Sequence, residues 1–128
     1  MLRSRFGAKA RHMKMKVGFV GLGNVGGKLA GSLLRNGFDL TVHDLNSDLV
    51  AGFVERGARS ADGALALMEA CDAVITCLPS PAASAAVVEE MLPAVDDTKV
   101  WLEMSTTDAG EVKRLASLVE AQGGSAIE

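Results

Sequence analysis

Residues 17–44 read VGFVGLGNVGGKLAGSLLRNGFDLTVHD, and the order of signals in this stretch decides the fold. Val17, Phe19 and Val20 form a short apolar run of the kind required by a parallel strand buried on both faces. Gly21, Leu22, Gly23, Asn24, Val25 and Gly26 follow at once as a GxGxxG turn. Residues 28–35 continue as a helix, Asn36 and Gly37 end it as a C-cap pair, and residues 40–43 form a second strand that ends at Asp44. Each glycine has a separate physical task. Gly21 permits the tight turn out of the strand, Gly23 lets the backbone approach a ligand without a Cβ in the way, and Gly26 allows close packing of helix on strand.

The ligand this arrangement suits is a dinucleotide. Free N–H groups and the positive end of the helix dipole favour a pyrophosphate at the helix N-terminus without any basic side chain. Asp44 lies 18 positions after Gly26, close to the spacing of about 20 expected for a carboxylate that accepts hydrogen bonds from an adenosine ribose. Such a carboxylate repels a 2′-phosphate. The following residues, Leu45, Asn46 and Ser47, supply no Arg or Lys to neutralise one, so NAD is expected as the cofactor and NADP is disfavoured. The competing reading is a glycine turn that binds nothing.

With 128 residues the chain has the length of one domain. Its 48% apolar, 23% charged and 4% aromatic composition is that of an aliphatic-rich α/β protein, and no run has the apolar length of a membrane span. Residues 1–16 hold Arg3, Arg5, Lys9, Arg11, Lys14 and Lys16 without an acid, whereas residues 17–128 carry the other 7 of 13 bases against all 16 acids, a formal charge of −9. An acidic body argues against nucleic acid as a partner. The basic arm, residues 1–15, is expected to be disordered; the cytoplasm is the expected compartment, and the mitochondrion is the alternative if the arm is a presequence. Cys71 and Cys77 lack CxxC spacing, and His12 and His43 have no second ligand at helical or hairpin spacing, so no disulfide framework or metal site is expected.

Helix and strand signals then alternate without linker or repeat, which predicts a doubly wound parallel sheet, Rossmann-like, in a single domain over residues 16–128. Helices are expected near residues 47–56, 61–70, 82–91 and 109–121. Strands are expected at residues 58–60, 72–78, 99–104 and 125–128. Pro79, Ser80 and Pro81 fix a rigid turn at the carboxyl end of one strand, and Ser105, Thr106, Thr107 and Asp108 form a hydroxyl cluster at the end of another. One residue of that cluster is expected to cap the helix that follows.

Three motifs together resemble the β-hydroxyacid dehydrogenases, a family that includes 3-hydroxyisobutyrate dehydrogenase and relatives of 6-phosphogluconate dehydrogenase. Residues 18–26, GFVGLGNVG, resemble the opening GFIGLGxMG; residues 75–80, ITCLPS, resemble I-T-x-L-P; residues 102–109, LEMSTTDA, resemble D-x-S-T-x-x-P, with Glu103 for Asp and Ala109 for Pro. The resemblance implies that the glycine turn, Asp44, Leu45 and Asn46 hold the adenosine diphosphate half of the cofactor. It also implies that Leu78, Pro79 and Ser80 pass near the nicotinamide ribose, that Thr106 lies beside the nicotinamide, and that Ser105 faces the substrate. The family's Ser-Gly-Gly segment and its catalytic lysine would follow residue 128, on a helical second domain.

The expected function is that of the cofactor-binding domain of an oxidoreductase transferring hydride between NAD and a small 3-hydroxy acid, with no catalytic residue in this chain and no turnover by the chain alone. Alternatives are an imine or glyoxylate reductase of the same superfamily and a non-catalytic dinucleotide-binding module. A homo-oligomer is a possible assembly, and the chain is expected to associate or aggregate more readily than a complete enzyme through the surface near Ile127 that a second domain would cover.

Overall fold

The computed structural model describes residues 15–105 and 108–128. The expectations placed on residues 1–14 and on Thr106 and Thr107 fall outside these residues. In chain order the elements are β1 (Lys16–Val20), α1 (Asn24–Arg35), β2 (Asp39–His43), α2 (Ser47–Glu55), β3 (Arg59–Ser60), α3 (Ala64–Ala70), β4 (Ala73–Thr76), α4 (Pro81–Met91), β5 (Val100–Glu103), α5 (Ala109–Ala121) and β6 (Ser125–Ile127), with a 3₁₀ turn at Leu92–Ala94. All strand pairings are parallel, and the order is β3-β2-β1-β4-β5-β6. The chain therefore reverses its direction of travel across the sheet between β1 and β4. That is the switch point at which open parallel sheets leave a crevice beyond the strand ends.

Two apolar layers hold the sheet. Val17 and Phe19 of β1 pack with Leu40, Val42, Ala30 and Phe53 under α1 and α2, while Val20 and Val74 pack with Leu67, Met68, Val88, Met91 and Leu115 under α3, α4 and α5. The strand interiors are thus apolar on both faces, as helix cover on both sides requires. Trp101 is fully buried on the second face, where its Nε1–H donates to Thr76 Oγ1 at 2.9 Å. The ring is large enough to anchor β5, and its polar atom has a partner.

Local sequence sets most of the ends. Asn46 Oδ1 accepts from the Asp48 N–H, Ser80 Oγ from the Ala83 N–H and Asp108 Oδ1 from the Glu111 N–H, so each caps its helix, and Pro81 occupies the first turn of α4. Gly37, Gly57 and Gly123 adopt positive φ just after α1, α2 and α5. Two expectations need correction. The helix placed over residues 61–70 starts at Ala64 instead, because the Ala61 N–H is spent on the Val42 carbonyl at 3.1 Å and Gly63 is extended. The helix placed over residues 28–35 is longer and begins at Asn24, directly after the glycine turn.

Ser84 is fully buried in α4 with no hydrogen-bond partner for Oγ among the described residues. Ser84→Ala is therefore expected to leave stability unchanged or to raise it by up to about 1 kcal/mol, because an unpaired buried hydroxyl is removed. Leu67→Ala, at an equally buried site, is expected to cost about 2–5 kcal/mol. Denaturant unfolding of the two variants measures the contrast.

Candidate functional site: a crevice at the carboxyl edge of the sheet

The crevice is built where β1 leaves the sheet. Gly21 has φ +102°, and a Cβ there would collide with the Cys77 backbone carbonyl. A Cβ on Gly26 would collide with the Gly21 carbonyl and would touch Cys77 Cβ. At Gly23, by contrast, nothing lies within 4 Å of the Cβ position. The first and third glycines are thus fixed by packing of the chain on itself, and the second faces open space. Gly23 is also the N-cap of α1 and provides no side-chain cap, so the first N–H groups of the helix point outward without a protein partner of that kind.

Asp44 joins this turn to the end of β2. Its Oδ2 accepts from the Leu22 N–H at 2.7 Å and its Oδ1 from the Asn46 N–H at 2.8 Å, while the Gly21 N–H donates to the His43 carbonyl at 3.2 Å. A carboxylate has about four acceptor positions, so two bonds leave capacity for a ligand's hydroxyl groups. The half-buried Asp44 borders a cavity of about 840 Å³. Gly21, Gly23, Asn24, Val25, Gly26, Leu45, Asn46, Leu78, Pro79 and Ser105 border the same cavity, which brings these residues together from four loops. Leu22 and Ser80 do not line it: Leu22 has its side chain in the core and contributes only its N–H to Asp44, and Ser80 is occupied in capping α4.

The other end of the crevice rests on a buried polar network. Glu103 Oε1 accepts from Thr76 Oγ1 at 3.1 Å and from the Ser105 N–H at 2.8 Å, and Ser105 Oγ accepts from the Leu78 N–H at 2.6 Å. The ends of β4 and β5 are therefore bound to each other through side chains that close the gap between Leu78 and Ser105. Glu103 Oε2 is buried without a partner among the described residues. Cys77, half-buried between them, has its thiol pKa raised, first by burial and then by the negative Glu103 nearby.

The sequence pattern missed His43, Leu49 and Ala64, and also a stripe along α4 formed by Ala83, Ala86, Val87 and Glu90, all of which line the cavity. The stripe has helical i, i+3, i+4, i+7 spacing after the Pro79 turn, and that spacing was the available signal. No Lys or Arg lines the cavity among the described residues. Lys99 lies at the opposite edge, where its Nζ donates to the Cys71 carbonyl at 2.8 Å. Among the described residues there is no group of three metal-ligating side chains and no helix long and apolar enough to cross a membrane.

Glycine turn, strand order and terminal acid together define a dinucleotide-binding domain of the Rossmann type. The family model described as the NAD binding domain of 6-phosphogluconate dehydrogenase matches residues 16–128, and the chain belongs to that family. Curated relatives include the mitochondrial 3-hydroxyisobutyrate dehydrogenase of Rattus norvegicus, 34% identical over 113 residues that cover 86% of this chain and 34% of that protein. The cytokine-like nuclear factor N-PAC of Homo sapiens is 30% identical over 116 residues, covering 88% of this chain and 21% of that protein. Among solved structures, the 3-hydroxyisobutyrate dehydrogenase of Mycobacterium tuberculosis with L-serine has the same fold at TM-score 0.83 and 22% identity, over 88% of this chain and 39% of that one. A reductive aminase of Aspergillus terreus in complex with NADPH aligns at TM-score 0.79 and 27% identity, over 88% and 39%. The chain spans about a third or less of the length of these curated relatives.

Two outcomes test this description of the site. Gly21→Ala and Gly26→Ala are expected to destabilise the fold by about 2 kcal/mol or more, because backbone must move, whereas Gly23→Ala is expected to change stability by less than about 1 kcal/mol; thermal unfolding separates them. The second concerns the thiols. Burial raises the pKa of both Cys71 and Cys77 in the folded chain, so folding is favoured fully below the ordinary thiol range, and that contribution is lost as pH rises through the raised values. Stability measured from pH 7 to 10 is expected to fall, and Cys77→Ala is expected to flatten part of the slope.

Proposed function

We propose that this chain is the cofactor-binding domain of an NAD-dependent oxidoreductase acting on a small 3-hydroxy acid, as in 3-hydroxyisobutyrate dehydrogenase. The observation that carries the cofactor preference is the Asp44 carboxylate at the mouth of a crevice that no Lys or Arg lines among the described residues. The site suits the cofactor on its own geometry: the open space at Gly23 is a cradle that a Cβ would fill, and it faces an uncapped helix start. Residues 23–26 would hold the pyrophosphate, Asp44 the adenosine ribose, and Leu78 and Pro79 would border the nicotinamide ribose. When bound, the cofactor accepts or gives the hydride.

The chain's own residues do the rest of the positioning. Asp44 fixes the turn to β2 before any ligand arrives, so little reorganisation is required on binding. Glu103 and Ser105 fix the loop after β5 against Leu78, and in this reading Ser105 Oγ faces the substrate. This reading assigns the acidic and basic side chains that line the crevice, Asp44, Glu90 and His43, to the adenosine end. The reading therefore takes the proton donor from outside these residues, and the 128-residue chain by itself is expected to reduce no NAD with 3-hydroxyisobutyrate. The cytoplasm is the compartment this reading carries, with the mitochondrion as the alternative that the basic arm suggests.

A second reading, an imine reductase, is favoured by the likeness to the Aspergillus terreus enzyme solved with NADPH. Cofactor preference discriminates the two. Calorimetric titration is expected to give tighter binding of NAD than of NADP, and Asp44→Ala is expected to weaken NAD by about 1.5–3 kcal/mol through loss of charge-assisted hydrogen bonds. Tighter binding of NADP by the unaltered chain would overturn the assignment and favour the reductase reading.

A further inference from the structure

His43 and Glu90 line the crevice from opposite directions, one at the end of β2 and the other on α4, and both hold the segment that enters α3. His43 Nδ1 is 3.1 Å from the Ala61 carbonyl oxygen. A carbonyl only accepts, so Nδ1 carries the proton, and in the neutral ring Nε2 is left as an acceptor. Nε2 has no partner among the described residues. Glu90 Oε2 accepts from the Leu65 N–H at 3.2 Å, supplying from a distant helix the cap that Gly63 cannot give. Gly63 leaves the room for it, since a Cβ there would lie 2.6 Å from Oε2. Glu90 also lines the crevice, and its second oxygen, Oε1, is an acceptor that the bond to Leu65 does not use.

This part of the cavity is otherwise apolar, bordered by Leu49, Ala64 and Val87. It therefore combines apolar walls with two hydrogen-bonding side chains and no Lys or Arg among the described residues. That chemistry fits a heteroaromatic base bearing an exocyclic amine. A base with a keto oxygen at the same place would set one acceptor against two others.

We propose that His43 Nε2 and the Glu90 carboxylate select an adenine base through its exocyclic amine, so that they act as specificity-determining residues of the crevice. The inference rests on the reading that residues 21–26 and Asp44 take a dinucleotide, because a ribose held at Asp44 places its base beside His43. Selection here is against the keto analogue, and is separate from the choice between NAD and NADP.

The experiment is calorimetric titration of the chain with NAD and with nicotinamide hypoxanthine dinucleotide, in which a keto oxygen replaces the amine. The unaltered chain is expected to bind NAD about three- to tenfold more tightly, the effect of one net hydrogen bond. His43→Phe is expected to reduce that ratio, and Glu90→Gln to reduce or invert it, since an amide N–H welcomes a keto oxygen. Thermal unfolding of each sample checks that the variants are folded, and the comparison on the unaltered chain needs no variant. Equal affinity of the unaltered chain for the two dinucleotides would overturn the proposal while leaving dinucleotide binding intact. A ratio that persists in both folded variants would overturn the assignment to His43 and Glu90. Failure of both dinucleotides to bind would overturn the underlying cofactor reading itself.

Discussion

The contact between the Gly21 turn and the Cys77 carbonyl is the constraint on which the site depends. Three chain segments meet there: the end of β1, the first turn of α1 and the end of β4. Backbone meets backbone at that point, so neither Gly21 nor Gly26 has room for even a methyl group. Close approach brings the start of α1 over the switch between β1 and β4, and the crevice beyond the strand ends follows from it. A looser turn would displace the helix start from the crevice and remove the one feature that favours a phosphate without basic side chains.

The crevice has two ends with different support. At one, Asp44 accepts from the N–H groups of Leu22 and Asn46, and His43 and Glu90 pin the segment that leads into α3. These are exposed or half-buried groups whose strength comes from geometry fixed in advance. At the other, Trp101, Thr76, Glu103, Ser105 and Leu78 form a chain of hydrogen bonds largely shielded from water. Burial makes that network costly to leave incomplete, which ties the position of Ser105 to the integrity of the sheet. Glu103, whose Oε2 has no partner among the described residues, stands where the resemblance to the dehydrogenases has Asp instead of Glu.

Much of this was legible because it is local. The buried strand cores of β1, β4 and β5, the glycine turn and the cap that Asp108 supplies from the hydroxyl cluster all depend on residues within a few positions of one another. The start of α3 was misread because it is decided at a distance: Ala61 is bonded to β2, and the cap comes from Glu90, 25 positions from Leu65. Glu103 likewise reads as a variant letter in a motif, and its role emerges only when the sheet register sets it opposite Thr76. His43 looked like an ordinary strand residue. Its place on the crevice follows from the exit of β2 beside the glycine turn, which strand periodicity alone does not specify.

The measurement that tests the account most directly is a backbone amide ¹⁵N–¹H map of the chain titrated with NAD. Dinucleotide binding at the switch point predicts that the largest shifts fall on Gly23, Asn24, Val25, Leu45 and Leu78, with smaller ones at Ala64. Shifts concentrated instead at the opposite edge of the sheet, around Lys16, Arg59 and Lys99, would contradict it.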